Sequence, residues 1–239
     1  MPNEATGSDA AYLVYDEWKH WSKENFLVTS DEDAAYFEGE LAGLTLKDKN
    51  VLEIGFGNGS FLAWARSRGA QVFGTEIQPE LMERARAAGI QVLDSRLNEE
   101  AYSGTFDLVI AFDVLEHLSI PEIRELLVHL DRLLRPGGTF LARFPNAASP
   151  FSRVYQHSDI THRSSLTSGT ISMLIVGTPF RMVRSGNQFV EIVGSFRRRL
   201  LRRAQRLLRN AVSSAIQNIY GFKADLHVNA VVVLRKRES

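Results

Sequence analysis

Three glycines, at positions 55, 57 and 59, stand where the apolar run Val51-Leu52-Glu53-Ile54 gives way to Ser60-Phe61-Leu62. Glycine lacks a side chain and tolerates positive φ, so this spacing predicts a strand-to-helix turn whose backbone approaches a ligand closely. Dinucleotide-binding turns are built in a similar way, but their fingerprint wants a third glycine where this chain has Ser60. Glu53 adds a carboxylate at the strand tip. A pyrophosphate would be repelled there, whereas an ammonium group would be attracted, directly or through water. Glu76 ends the next strand about twenty residues on, where a carboxylate can accept both hydroxyls of a ribose. Asp94 and Ser95 end a third strand and are placed to bond an adenine amino group. Phe112 and Asp113 end a fourth. All of these fall at carboxyl ends of parallel strands, the side on which open α/β sheets bind ligands.

A second group of chemistry-bearing residues follows the fifth strand, in Tyr155-Gln156-His157-Ser158-Asp159-Ile160-Thr161-His162-Arg163. An aliphatic hydroxyl is too weak an acid to ionise at neutral pH, so its attack on an electrophile benefits from a general base. Histidine, with an ordinary pKa near 6.5, suits that task. His162 is the expected base, and Asp159 is expected to orient its ring as the third member of a triad does. The competing reading has His162 brace the helix that follows. His157, Arg163 and Asn146 are expected to contact the acceptor. Asp113, Glu116 and His117 are spaced i, i+3, i+4, so one helical turn would bring them together on a divalent cation. The expectation here is no metal, with His117 packed beside the cofactor.

The elements that must hold these groups alternate short β-like runs with helical patterns, which predicts a parallel sheet covered by helices on both faces. Predicted strands are 50–54, 70–76, 90–93, 106–112, 139–144, 180–184 and 226–234. Predicted helices are 59–68 (capped by Asn58), 79–88 and one opened by a capping box of Ser119 and Glu122 and ended by Arg135-Pro136-Gly137-Gly138, with a further helix over 166–176. The segments 145–165 and 186–225 are long connections of the kind that carry function.

As a set, VLEIGFGNGSF, GTEI, FDLVIAFDVLEHL and LLRPGGTFLARFPN resemble the successive motifs of the class I S-adenosylmethionine-dependent methyltransferases, over residues 49–146. The resemblance implies a doubly wound α/β sheet of seven strands in order 3-2-1-4-5-7-6, with the last strand antiparallel. It implies that Glu53, Gly55, Gly57, Glu76, Asp94 and Phe112 line the cofactor pocket, to which Phe56, Gly59, Ile77, Ser95, Asp113 and His117 are added from their positions. The domain division that follows is an N-terminal helical extension over 1–48 and a methyltransferase domain over 49–239, with 186–225 as an Arg-rich helical insertion. The D-x-T-H run at 159–162 and the helix start after it are similar to methyltransferases of bacterial polysaccharide and lipopolysaccharide assembly. That similarity implies O-methylation of a saccharide hydroxyl, phosphorylated or lipid-linked. The first alternative is a quinone- or phenol-type O-methyltransferase, which a strict divalent-metal requirement would favour. The second is a non-catalytic module binding the cofactor or a nucleic acid. Cytosine C5 methylation is excluded, because it needs a cysteine nucleophile and the chain has none.

Two accessory segments stand out. Tyr12, Tyr15, Trp18 and Trp21 recur every three residues and predict a stripe that docks an N-terminal helix. Arg197, Arg198, Arg199, Arg202, Arg203, Arg206 and Arg209 lie in a stretch with no acid between Gly194 and Ala224. On a helix, Leu200, Leu201, Ala204, Leu207, Leu208 and Ala211 fall to one side and most arginines to the other. Such a helix suits an anionic membrane surface or a lipid-linked glycan; equally, it suits docking on the core by its apolar face.

The 239 residues carry 28 basic and 28 acidic side chains, a formal net charge of zero, so bulk charge points to no nucleic-acid partner. With no secretory pattern at the start and no apolar run of membrane-spanning length, a cytoplasmic protein with peripheral membrane contact is expected.

Overall fold

Near-continuous apolar runs place two strands at the centre of the sheet. In the computed structural model, which describes residues 24–95, 99–190, 194–222 and 224–238, β1 (Asn50–Ile54) and β4 (Phe106–Phe112) lie side by side, buried on both faces. β2 (Gln71–Thr75) and β3 (Gln91–Val92) extend the sheet on one side, and β5 (Leu134–Pro145), β7 (Asn229–Lys236) and β6 (Phe180–Asn187) on the other. The order is 3-2-1-4-5-7-6, as expected. β7 runs antiparallel to both of its neighbours, and the first five strands are parallel.

Helices cover both faces. α1 (Asp31–Glu40), α2 (Ser60–Ser67) and α3 (Pro79–Ala87) bring Phe37, Phe61, Leu62 and Leu81 against Val51, Ile110 and Leu141. After the short α4 (Glu99–Tyr102), α5 (Ile120–Leu133) covers the opposite face. Its buried residues Ile123, Leu126, Leu127, Leu130 and Leu133 form one stripe, packed on Leu52, Val109 and Phe140. The expected capping box is present: Glu122 accepts from the Ser119 amide at 2.7 Å. α6 (Arg153–Ser158) and α7 (Ser168–Leu174) follow β5, and α8 (Phe196–Tyr220) joins β6 to β7.

Several boundaries differ from expectation for local reasons. Gly59, with φ +73°, takes the N-cap position of α2 instead of Asn58, because a left-handed residue is needed to turn out of the loop. A Cβ there would meet Leu27 Cδ2 at 2.6 Å. The Arg135–Gly138 run does stop α5, but Leu134 pairs at once with Phe106, so β5 begins five residues before the expected Thr139. β6 continues to Asn187 by pairing with β7, so the insertion before the last strand starts later than residue 186. The aromatic stripe at Tyr12, Tyr15, Trp18 and Trp21 lies outside the described residues.

Candidate active site

A cleft of about 630 Å³ opens at the carboxyl ends of β1, β2 and β4, roofed by α1 and bounded by the start of α5. Gly55 holds φ +66° and Gly57 +51° at its floor, and a Cβ on Gly55 would meet Val114 at 2.8 Å. The turn therefore needs glycine both for its backbone angle and for its packing. Of the expected cofactor residues, Glu53, Gly55, Phe56, Gly57, Glu76, Ile77, Ser95, Phe112, Asp113 and His117 line the cleft. Gly59 serves as the helix cap beside it, and Asp94 is exposed and lies off its wall, leaving Ser95 as the β3 contribution.

Glu53 is almost fully buried, and its Oε2 has no hydrogen-bond partner. Burial, reinforced by the nearby Glu76 carboxylate, holds its pKa well above the ordinary carboxylate range. A buried acceptor without a donor is costly, and a ligand ammonium is the kind of group that would satisfy it. Glu76 Oε2 accepts from the Gly57 amide at 2.9 Å and Oε1 from the Ile77 amide at 2.7 Å. Oε1 also accepts from the Gln78 amide at 3.3 Å, so backbone amides fix the carboxylate at the end of β2, where a ribose diol would meet it. The residues present thus fit S-adenosylmethionine: a cation at Glu53, a diol at Glu76 and an aromatic wall at Phe112.

Sequence reasoning missed the roof. Arg143 of β5 donates from Nε to Asp113 Oδ1 at 2.9 Å and lies 5.0 Å from the ring centroids of both Tyr36 and Phe112. Phe112 in turn stacks on Phe37 at 5.6 Å. Burial works against the charge of Arg143, but the Asp113 carboxylate and the Tyr36 hydroxyl outweigh it and hold its pKa above the ordinary value. A lone arginine near the carboxyl end of an otherwise apolar strand (Phe140-Leu141-Ala142-Arg143-Phe144) is the signal that could have found it. Nothing comparable marks Asp33, Tyr36 and Phe37, which reach the cleft only because α1 folds back over it.

The post-β5 segment meets the cleft at His117 and at Arg163. Asp159 Oδ1 accepts from the Thr161 amide at 2.9 Å and from the Thr161 hydroxyl at 2.5 Å, and Thr161 Oγ1 lies 2.8 Å from His117 Nδ1. Burial raises the Asp159 pKa, yet the two Thr161 hydrogen bonds and the charges of His162 and His117 outweigh it and hold the carboxyl below its usual value. His162 stands behind His117, its ring 4.8 Å away at 73° and outside the cleft lining. Its Nδ1 faces the Gln156 carbonyl at 3.0 Å, and its Nε2 faces Asp159 at 3.7 Å and Glu116 at 4.0 Å.

The remaining expected residues are dispersed. Arg163 lines the cleft and pairs with Glu122, whose pKa is pushed down to about 2 by the Ser119 hydroxyl and amide and then by Arg163. Asn146 is buried away from the cleft, donating to Asp225 at 2.6 Å, and His157 is exposed at the end of α6. The trio Asp113, Glu116, His117 does not converge, because Asp113 adopts φ +55° and turns to Arg143 while Leu115–His117 forms a 3₁₀ turn. Glu116, His117 and His162 do converge, with one ligand atom from each within 4.8 Å of the others. That set can hold a divalent cation: two imidazoles and a carboxylate are common donors.

Comparison with known proteins agrees with this geometry. A methyltransferase-domain family model matches residues 34–184. The ubiquinone biosynthesis O-methyltransferase of Xanthomonas oryzae pv. oryzae (strain PXO99A) is 31% identical over 120 residues, 46% of this chain and 49% of that protein. The trans-aconitate 2-methyltransferase of Azoarcus sp. (strain BH72) is 31% identical over 144 residues, 58% of this chain and 56% of that protein. The chain thus spans about half the length of the curated relatives it matches. Among solved structures, a SAM-dependent methyltransferase from Archaeoglobus fulgidus superposes with a TM-score of 0.65 at 17% identity, covering 94% of this chain and 99% of that one. With its cleft at the strand ends, its sheet order and its match over 34–184, the chain belongs to the methyltransferase-domain family and has the class I fold.

Proposed function

We propose that this protein transfers a methyl group from S-adenosylmethionine to the hydroxyl of a small phenol- or quinol-type acceptor, with His117 as general base. The observation that carries the reading is His117 on the cleft wall with its Nδ1 held by Thr161. Thr161 has one hydroxyl proton and donates it to Asp159, so its oxygen accepts from His117 Nδ1–H. That tautomer leaves the lone pair on Nε2, the state a base requires.

When bound, the cofactor supplies an electrophilic methyl on a sulfonium. Glu53 holds its ammonium and Glu76 its ribose, while α1 and Arg143 wall off solvent. The acceptor proton passes to His117 Nε2 as the oxygen–methyl bond forms and the methyl–sulfur bond breaks. Asp159, through Thr161, stabilises the imidazolium until it returns the proton to solvent.

A saccharide acceptor has weaker support. The Asp159–His162 run on which it rested serves His117 rather than lining the cleft, and the relatives are named for ubiquinone biosynthesis and trans-aconitate. A second reading rests on the convergence of Glu116, His117 and His162, where a divalent cation would polarise the acceptor hydroxyl in place of a base. The test is transfer of labelled methyl to catechol, to a demethylated quinol and to saccharides, with and without chelator. Label in the phenolic products that survives chelation is the expected result. Label only in saccharide overturns the acceptor. Loss on chelation, restored by a divalent cation, replaces the base by the cation.

A further inference from the structure

An amphipathic helix ordinarily turns its apolar face to the core. α8 does the opposite. Within Phe196–Tyr220, the residues that are not fully exposed are Arg202, Arg209, Ser213 and Ile216, whose spacing of 7, 4 and 3 makes one stripe. This mostly polar stripe faces the body: Ser213 donates to the Ala224 carbonyl at 2.7 Å, Arg209 lies 3.3 Å from His227, and Arg202 pairs with Glu32 of α1 at 3.5 Å. Diametrically opposite, Phe196, Leu200 and Leu207 stand 73%, 59% and 69% exposed, with Leu201 and Leu208 beside them. Arg199, Arg203 and Arg206 form a row along one edge of that apolar face. Docking on the core through the apolar face, one of the two expectations for this segment, is therefore not what the fold does.

We propose that the outward face of α8 is a docking surface for an anionic lipid bilayer, with the leucines entering the acyl boundary and the arginines meeting phosphate headgroups. Charge complementarity selects this occupant. Between Gly194 and Ala224 the chain has seven arginines and no acid, so a second copy laid face to face would set arginines against arginines. A nucleic acid would satisfy the arginines but leave the leucines in water. An anionic membrane satisfies both, and adjacent Arg/Leu faces of this length are the form such surface helices take. No helix of the described residues is long and apolar enough to cross a membrane, so α8 lies along the surface instead. The inference stands independently of the acceptor's identity.

The test is co-sedimentation of the full chain with vesicles of phosphatidylcholine alone and of phosphatidylcholine mixed with phosphatidylglycerol, at low and high salt. The expected result is binding to the mixed vesicles only, weakened by salt. Arg199→Gln/Arg203→Gln/Arg206→Gln should reduce it by more than about tenfold and remove most of the salt dependence. Leu200→Gln/Leu207→Gln/Leu208→Gln should abolish it at every salt concentration, with unchanged helical circular dichroism and unchanged cofactor affinity as controls for folding. Equal binding to both vesicle types, or binding that survives both triple variants, overturns the proposal. So does a wild-type chain that ignores vesicles and instead binds RNA, or forms a dimer that the leucine variant dissolves.

Discussion

His117 Nδ1 and Thr161 Oγ1 lie 2.8 Å apart across 44 residues of sequence, and this contact ties a histidine of the cleft wall to the segment after β5. Under the proposed function, the base expected at His162 is instead His117, the last residue of the 3₁₀ turn Leu115–His117, where packing beside the cofactor was expected. Asp159 bonds Thr161, so in that proposal it would orient the base through a threonine.

If His117 is the base, His117→Ala should lower kcat by about two to four orders of magnitude while cofactor affinity changes little. Thr161→Val keeps the shape of the side chain and removes the hydroxyl, so kcat should fall about tenfold, the equivalent of one hydrogen bond. Steady-state kinetics on the phenolic acceptor, with His162→Ala alongside, check this. A near-normal His117→Ala rate would remove the assignment.

Cofactor binding should be linked to a proton at Glu53. Its pKa is raised in the free protein by burial and by Glu76, and a bound ammonium favours the carboxylate, so binding releases a proton and affinity rises with pH. The same shift acts on stability. A carboxyl whose folded pKa exceeds its unfolded value of about 4.3 binds more protons when folded, so stability falls as pH rises from there through the folded pKa. Glu53→Gln should therefore melt higher than the wild type at neutral pH, lose that advantage near pH 4 (about the unfolded carboxylate value), and bind the cofactor more weakly. Calorimetry in buffers of different ionisation enthalpy measures the proton release; equal apparent heats in all of them would contradict it.

Arg143 holds the roof. It pairs with Asp113, itself in left-handed backbone, and its guanidinium lies 5.0 Å from the ring centroids of both Tyr36 and Phe112. Arg143→Met keeps most of the packing and removes the charge, and should cost about 1–3 kcal/mol in the melting transition. It should also loosen α1 and raise KM for the cofactor. Unchanged thermal melting would show that the ring contacts alone hold the helix.

The sheet and the cofactor side of the cleft were legible in the sequence because they are local: Glu53 and the glycines share one strand-to-helix turn, Phe112 ends β4, and Glu76 and Ser95 follow closely on β2 and β3. Apolar runs fix which strands are central, since buried parallel strands read as near-continuous hydrophobic segments. Of the two residues expected after β3, Ser95 lines the cleft and Asp94 does not; both stand beyond the two-residue strand Gln91–Val92, where no strand alternation fixes which one faces inward.

The rest required the fold. Residue spacing put Asp113 with Glu116 and His117, but a positive φ at Asp113 broke the helical turn that the spacing assumed. His162 and Asn146 carry suitable chemistry, yet the path of the chain after β5 turns one behind His117 and the other toward Asp225. Periodicity described α8 fully as a two-faced helix but not which face meets the body, because that depends on what the body offers. Here it offers Glu32, His227 and the Ala224 carbonyl, which are polar partners, and so the leucines face outward. Sequence determined what each element is and what its strand ends present; the tertiary structure decided which groups meet, because those contacts lie between residues far apart in the chain.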